Sequence, residues 1–408
     1  MKPLEGIVVL DLSRYIAGPT ASMMLADQGA DVIKVEALPD GDPSRQSGPF
    51  VEDGESVYFM SANRNKRSLA VNLRSVEGLA AVKKIAAASD VVIENFKPGT
   101  MARMGLSYDD LSPANPRLVY CSITGFGSGP AGASMAGFDQ NAQGMSGFMS
   151  VTGTDGTGPL RAGTPVADSS TGLIAGFTVL AKLLERGRTG VGGQVSTSLM
   201  QSMTFMMTYQ AQKFLSLEMI PSREGNDHPL IFPQGTFRTR DGYVTIASGN
   251  QQMWEKLARV LAVQDLVADA RFATNELRLA HRRELRTLME QKLGLDDSAG
   301  WIKRINEAGV PCGPVLNVGE AFRHPLAAEL ELAPTVLHTT LGEMQVLGRP
   351  ANTGEDPWLV LPPPLLGEHT REVLVQYGFS DEEIGVYGSQ GVVYQAEGTR
   401  KEGQGTRA

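Results

Sequence analysis

Short β-branched runs alternate with helical segments through the first 125 residues of the chain. The runs are "IVVLDL", "DVIKVE", "SLAVNL", "DVVIENF" and "RLVYCSITGF", and helices are predicted among them near Gly18–Gln28 and Val76–Ala88. Such alternation is typical of a parallel sheet, because each helix carries the chain back across one face of the sheet. The sequence therefore predicts an α/β fold built on a large, Rossmann-like parallel-sheet domain.

A second, smaller domain is expected, because 408 residues exceed the size of about 250–300 residues at which a single core stops growing. The stretch "HPLIFPQGTFRTRDGYVTIAS" predicts two strands joined by a turn at Asp241-Gly242, and amphipathic helices follow it. We therefore predict a large domain over 1–215, a small α+β domain over 226–330, a return to the large domain over 331–390 with a helix near Glu368–Tyr377, and a polar tail over 391–408.

Composition narrows the classes of partner. The net charge of −8 argues against a nucleic-acid surface, so an anionic ligand would have to be held by a local basic cluster. The two cysteines, Cys121 and Cys312, lie far apart, and Cys121 falls in an apolar run, which favours reduced thiols. No signal-peptide core or membrane-spanning apolar run is present. We expect a soluble, cytoplasmic protein that binds neither nucleic acid nor membrane.

Several common motifs are missing. The first strand-to-helix turn reads "SRYIAGPT" where a dinucleotide site needs G-x-G-x-x-G, and "GFGSGPAG" lacks the Gly-Lys-Ser/Thr of a phosphate loop. The five histidines are scattered without metal-ligand spacing, and no G-x-S-x-G elbow follows a strand. The sequence thus predicts no nucleotide-binding glycine loop, no metal site and no serine nucleophile.

Two polar stretches could hold an anion. The first, "NRNKRS", carries Arg64, Lys66 and Arg67 just before a predicted strand, where the simplest interpretation is a solvated loop. The second, "ENFKPGTMARMG", follows a strand, and ligands of open α/β sheets gather beyond the carboxyl ends of strands. A ligand that carries phosphate is the alternative for the first stretch. For the second, ligand binding and an ordinary strand-to-helix turn are both open.

Asp168 presents a similar choice. In "RAGTPVADSSTGLIAGFTVLAKLLER" the apolar residues recur at helical spacing, which predicts a helix that begins just after Asp168 and runs to Gly187. An aspartate before a helix is most often an N-cap. Gly163, Gly172 and Gly176 would leave room for a ligand, and the helix N-terminus would stabilise an anion. The residues alone leave both roles open.

A series of ordered motifs resembles the class III CoA-transferase family, which includes formyl-CoA transferase and carnitine CoA-transferase. The motifs span nearly the whole chain: "PLEGIVVLDLS", "AGP", "GADVIKVE", "VYFMSANRNKRS", "VIENFKPGTMARMGL", "ITGFG", "ADSSTG", "GVPCGPV" and "LLGEHT". The resemblance implies transfer of CoA from an acyl-CoA to a carboxylic acid through an aspartyl anhydride and an aspartyl-CoA thioester. It also implies an interlocked homodimer, no metal or prosthetic group, and a coenzyme A ester as substrate.

The resemblance also implies roles for individual residues. The family's aspartate nucleophile falls on Asp168 in "ADSSTG", and Tyr58 matches a tyrosine near the reacting centre. The residues implied for CoA binding are Ile16, Ala17, Asn63, Lys66, Arg67, Asn95, Phe96, Lys97 and Arg103.

Departures from the family pattern bear on the substrate. Formyl-CoA enzymes have a glutamine at the position of Ile16, an arginine at that of Ala37 and a glycine-run loop that this chain lacks. Formate is therefore not the expected acid. The residues do not name another acid, and the family resemblance implies a short dicarboxylate such as succinate, because such acids are frequent in the family. Related 2-methylacyl-CoA racemases use a His-Asp pair where this chain has Phe138-Asp139. Because the loss of the histidine removes a base for proton transfer, a racemase is the alternative activity and not the first one. A CoA-binding protein without catalysis is a third possibility.

Overall fold

The computed structural model describes residues 2–51, 54–351 and 360–396 of the chain. They divide into two compact units. The first unit comprises the described parts of Met1–Phe148, Arg161–Met219 and Ala328–Ala408, and the second comprises Met149–Leu160 and Ile220–Ala327.

Fourteen strands occur in the described residues, and they form one large and three small sheets. They are β1 (Val8–Asp11), β2 (Asp31–Ala37), β3 (Lys66–Val71), β4 (Val91–Glu94), β5 (Val119–Thr124), β6 (Gly153–Thr154), β7 (Gly158–Pro159), β8 (Gly193–Ser198), β9 (Gln234–Arg238), β10 (Tyr243–Ala247), β11 (Cys312–Pro314), β12 (Thr335–His338), β13 (Gly342–Gln345) and β14 (Val393–Tyr394).

The α-helices of the described residues are α1 (Ala17–Asp27), α2 (Val57–Met60), α3 (Val76–Ala87), α4 (Thr100–Met104), α5 (Tyr108–Leu111), α6 (Asp139–Met145), α7 (Phe148–Val151), α8 (Val166–Thr189), α9 (Leu199–Met206), α10 (Thr208–Leu217), α11 (Gln251–Val260), α12 (Asp265–Ala268), α13 (Asn275–Ala280), α14 (Arg282–Leu293), α15 (Ser298–Glu307), α16 (Val318–Arg323), α17 (Pro325–Glu329), α18 (Thr370–Gln376) and α19 (Asp381–Ser389). The three helices predicted from the alternation and from residues 368–377 are present as α1, α3 and α18, with ends that differ by a few residues.

The large sheet of the first unit has the strand order β14-β3-β2-β1-β4-β5-β8, and all its pairs are parallel except β14 with β3. The predicted parallel sheet is therefore confirmed. From β1 the chain builds outward through β2 and β3 on one side and through β4, β5 and β8 on the other. The loops after β1 and β4 consequently diverge and leave a crevice at the carboxyl edge, where open α/β sheets bind ligands.

Alternate strand residues fill two apolar layers on opposite faces of this sheet. Leu10, Ile33 and Val92 belong to one buried cluster, and their neighbours in sequence, such as Val9 and Val32, belong to the other. Because both faces are covered by helices, the strands are apolar at nearly every position, as is typical of parallel sheets. This accounts for the continuous runs seen in the sequence.

The second unit contains the antiparallel sheet β11-β10-β9 packed on a separate core around Trp254 and Phe272. The strand pair predicted on either side of Asp241-Gly242 is confirmed. The unit also includes Met149–Leu160, which the predicted boundaries put in the large domain. The reason is local: the hairpin of β6 and β7 accepts a hydrogen bond from Gly225 N at Gly153 O (2.8 Å).

The predicted polar tail over 391–408 begins within the fold. Val393 and Tyr394 form β14, which pairs with Val71 and Ala70 at one edge of the large sheet. Residues 397–408 lie outside the described residues.

Candidate active site

Asp168 lies in the first turn of α8, which begins at Val166, so the prediction that the helix begins just after Asp168 is wrong and Asp168 is not its N-cap. Pro165 occupies the N-cap position, and its fixed φ allows the helix to begin before Asp168. The free amides of this turn are satisfied from another helix: Ala167 N and Asp168 N donate to Asp139 Oδ2 at 2.8 and 3.2 Å. The Asp168 carboxylate therefore does not cap the helix.

The first turn of α8 lies at the carboxyl edge of the sheet. Because β8 runs parallel to β5, the chain must cross back over the sheet between these strands. Helix α8 makes this crossing, so it begins at the edge where β5 ends. Helix α8 packs closely on α1, and a Cβ at Gly172 would lie 2.6 Å from Ala17 O. Gly172 therefore accommodates α1 rather than a ligand, whereas Gly163 faces open space.

The Asp168 carboxylate is partly buried. Burial, with the nearby negative charge of Asp139 as a second cause, raises the pKa of Asp168 to about 7. Within the described residues no hydrogen bond to its side-chain oxygens is formed. A carboxylate of this kind is basic and weakly solvated, which makes it a better nucleophile than an exposed aspartate.

Tyr58, on the short helix α2, is an electrostatic neighbour of Asp168. Burial, and after it the negative charge of Asp168, raises the pKa of the Tyr58 phenol to about 12. At neutral pH the phenol therefore keeps its proton and can donate a hydrogen bond. Tyr58 is half-buried, so this proton is accessible to a bound molecule.

The loop after β1 is held rigidly at the crevice. Asn95 Oδ1 accepts from Arg14 N (2.8 Å), Asn95 Nδ2 donates to Arg14 O (2.7 Å), and Asp42 Oδ1 accepts from Tyr15 N (3.1 Å). The Arg14 guanidinium stacks on the Phe96 ring at 4.6 Å, and its buried Nε has no partner in the described residues. The predicted residues Asn95 and Phe96 thus organise the crevice between β1 and β4.

Ile16 and Ala17 continue from this loop into α1. Ile16 is its N-cap residue, and both side chains are buried. This burial covers each whole residue, so little of either residue is exposed at the crevice. The other two predicted residues of the second stretch are exposed: Lys97 precedes α4, and Arg103 lies in the last turn of α4, where its Nη2 donates to Thr100 Oγ1 (2.9 Å).

The "NRNKRS" stretch is largely internal. Lys66 Nζ is buried and donates to Asp11 Oδ2 (3.1 Å), Pro19 O (2.9 Å) and Asn63 Oδ1 (2.9 Å), which uses all three of its protons. Burial would raise the pKa of Asp11, but Lys66 and Lys34 outweigh it and lower that pKa to about 2. Lys66 therefore compensates a buried carboxylate.

Arg67 and Arg64 are also paired within the chain. Arg67 contacts Asp31 Oδ2 (2.5 Å) and Glu372 Oε1 (2.8 Å), and Arg64 contacts Asp27 Oδ2 (2.5 Å). A phosphate contact by Lys66 or Arg67 would require these interactions to open. That Lys66 and Arg67 bind CoA phosphates stays a prediction. In the structure both side chains form ion pairs with acidic residues that are distant in sequence.

Two cavities open at the carboxyl ends of strands in the first unit. One, of about 930 Å³, is lined by residues that follow β2 and β3, among them Leu38 and Asn72. The other, of about 600 Å³, is lined by Glu94, Thr124 and Phe96 at the ends of β4 and β5. Both volumes are of the size of small-molecule sites.

In the described part of the chain, no group of three or more His, Cys, Asp or Glu side chains is arranged to hold a metal ion. Searched over the same residues, no helix is long and apolar enough to cross a membrane.

Known proteins resemble this chain over most of its length. The model of the family described as CoA-transferase family III matches residues 4–370. The chain is 38% identical to succinyl-CoA:glutarate CoA-transferase of Mus musculus, over 94% of this chain and 88% of that protein, and 37% identical to succinate–glutarate CoA-transferase of Agrobacterium fabrum, over 92% and 95%. A crystal structure of a CAIB/BAIF family protein from Brucella suis superposes with a TM-score of 0.83 at 37% identity, covering 92% of this chain and 99% of that one. The chain belongs to CoA-transferase family III and is a CoA-transferase.

Proposed function

We propose that this CoA-transferase moves CoA between short dicarboxylic acids and that Asp168 is its nucleophile. The observation that carries the proposal is the partly buried Asp168 carboxylate, which is neither a cap nor hydrogen-bonded through its oxygens within the described residues. The choice of acid rests on the relatives named for succinate and glutarate.

The proposed reaction balances without any further reactant. A carboxylate oxygen of Asp168 attacks the thioester carbonyl, and the C–S bond breaks to give a mixed anhydride and CoA thiolate. The thiolate then attacks the aspartyl carbonyl and expels the donor acid as its carboxylate, which leaves an aspartyl-CoA thioester. The acceptor acid reverses both steps. The protonated Tyr58 phenol is suited to donate to the oxygen that gains charge in each attack.

CoA is proposed to lie across the carboxyl edge of the sheet. Lys97 and Arg103 are the exposed predicted cations, so we propose that they contact its phosphates. The backbone at Ile16 and Ala17 would lie beside the chain of the cofactor. This arrangement brings the thioester to the first turn of α8, whose N-terminus favours negative charge.

A panel of acids tests the proposed substrate class. With succinyl-CoA as donor, we expect glutarate and other short dicarboxylates to exceed formate and acetate in kcat/KM by roughly tenfold or more, because one charge-assisted contact to the second carboxylate is worth about 1.5–3 kcal/mol. A 2-methylacyl-CoA in deuterated water serves as the control for racemisation. Equal rates with monocarboxylates, or α-proton exchange without transfer of CoA, would contradict the proposal.

We further propose that the working form is a homodimer in the cytoplasm, with the interlocked arrangement that the family resemblance implies. Large apolar side chains are exposed on consecutive helices of the first unit: Phe177 (74%) and Leu184 (72%) on α8, and Phe205 (72%) on α9. Large apolar side chains exposed in this way are often covered by a partner subunit. Light scattering at micromolar concentration should give twice the mass of one chain, and a fully active monomer would contradict the proposal.

A further inference from the structure

Asp139, the first residue of α6, contacts the candidate nucleophile only through the backbone. Its Oδ2 accepts from Ala167 N and Asp168 N at 2.8 and 3.2 Å, and its Oδ1 accepts from Gln143 Nε2 at 2.5 Å. The Asp139 carboxylate therefore caps α8, the helix that carries Asp168, although α7, β6 and β7 lie between α6 and α8 in sequence.

Gln143 extends this contact to the loop before α8. Its side chain is fully buried, and its Oε1 accepts from Ala162 N at 2.8 Å. One face of α6 thus fixes the backbone at two points, Ala162 and the amides of residues 167 and 168. The direction of the hydrogen bonds is determined, because Asp139 can only accept and Ala162 N can only donate.

We propose that Asp139 is a positioning residue for the nucleophile, acting through the first turn of α8, with Gln143 as its support. The proposal rests on the proposed role of Asp168. A capped, doubly anchored turn holds the Asp168 Cα and Cβ in one place while leaving the carboxylate oxygens available for attack. Small displacements of a reacting group reduce rates strongly, so this rigidity has a direct effect on turnover.

The charge of Asp139 has a second effect on Asp168. Burial and then Asp139 raise the pKa of Asp168, whereas Tyr58 on α2 is neutral below about pH 12. The other elements packed on α8 add little: Asp27 on α1 is paired with Arg64, and α9 and β8 have no charged residue. The buried Cys121 thiol on β5 has its pKa raised to about 12.

Substitutions at both positions separate positioning from a general structural effect. Asp139→Ala should lower kcat by about 100-fold with a much smaller change in KM, because the turn loses its anchor.

Asp139→Asn should also lower kcat, because the NH₂ group of the new side chain would face the NH₂ group of Gln143, and two donors cannot form a hydrogen bond. Adding Gln143→Glu to Asp139→Asn restores every hydrogen bond and should recover most of kcat. It also moves the negative charge away from Asp168, so the acid limb of the kcat–pH profile should shift to lower pH.

The control is Asp110→Asn, which alters an exposed capping box at Ser107 in the same unit and should leave kcat unchanged. Hydrogen exchange followed by mass spectrometry on the peptide spanning 161–172 gives a readout that is independent of turnover. Faster exchange is expected there in Asp139→Ala and near-normal exchange in the double variant. Loss of kcat in the double variant despite restored exchange protection, or unchanged kcat in Asp139→Ala, would overturn the positioning role. Failure of the nucleophile assignment would instead appear as retained transfer in Asp168→Ala.

Discussion

Replacement of Asp168 by alanine is expected to reduce CoA transfer by at least about 10³-fold, because no other described side chain in the first turn of α8 can form the mixed anhydride. Folding should remain normal, since Asp139 and not Asp168 caps the helix. Asp109→Ala is a matched control: it removes an exposed aspartate from the first turn of α5 in the same unit, and transfer should be unchanged.

The free energy of unfolding of Asp168→Ala distinguishes a nucleophile from a helix cap at this position. Loss of an N-cap aspartate costs about 1 kcal/mol at neutral pH. Here burial raises the pKa of Asp168 to about 7, above the ordinary aspartate value of 3.8, so the native state binds the extra proton between these values. The stability that this proton confers is present below about pH 4 and is lost as the pH rises to about 7.

The measurement is the free energy of unfolding by urea at several pH values. Relative to Asp168→Ala, the wild-type protein should lose up to about 1.4 kcal/mol for each pH unit across that window. A wild-type protein that is more stable than the variant at neutral pH, and that loses this advantage as the pH falls below about 4, would indicate a cap instead.

Replacement of Lys66 by methionine is expected to lower the free energy of unfolding by about 3–5 kcal/mol, because it leaves the buried Asp11 carboxylate without its closest cation. Lys34, the second lysine near Asp11, should keep the loss toward the lower end of this range. Lys303→Met removes an exposed lysine and should change stability by less than about 0.5 kcal/mol.

The Lys66→Met variant distinguishes the structural role of Lys66 from a role in phosphate binding. Urea denaturation reports its stabilising role, and titration calorimetry with CoA reports phosphate binding. If Lys66→Met unfolds at the wild-type urea concentration but binds CoA tenfold more weakly, the phosphate role predicted from the sequence is correct and the structural role is wrong.

The sequence predicted the parallel sheet because its cause is local: apolar runs and helical segments alternate along the chain. It predicted the region of the site for the same reason, since Asn95 and Phe96 directly follow a strand. The residues that hold the site together depend on contacts that are distant in sequence. Asp139 caps a helix that begins after a long intervening segment, and no local spacing could reveal it.

The basic stretch shows the same limit. Arg64, Lys66 and Arg67 resemble a ligand-binding cluster in sequence, yet their partners come from β1, α1, β2 and α18. Charge patterning along the chain does not distinguish a cation that is paired internally from one that is available to a ligand. The family resemblance, in contrast, predicted roles for Asp168 and Tyr58 without any local pattern, and in the structure the negative charge of Asp168 helps to raise the pKa of the Tyr58 phenol.

Asp168 is proposed to carry CoA covalently during transfer. This proposal is tested most directly by incubating the wild-type protein with succinyl-CoA in the absence of an acceptor, trapping with hydroxylamine or borohydride, and sequencing the peptides by mass spectrometry. We expect the modification on Asp168, its loss when glutarate is added before the trap, and none in Asp168→Ala. Efficient transfer by a protein that is trapped at another residue, or at none, would show that Asp168 is not the nucleophile.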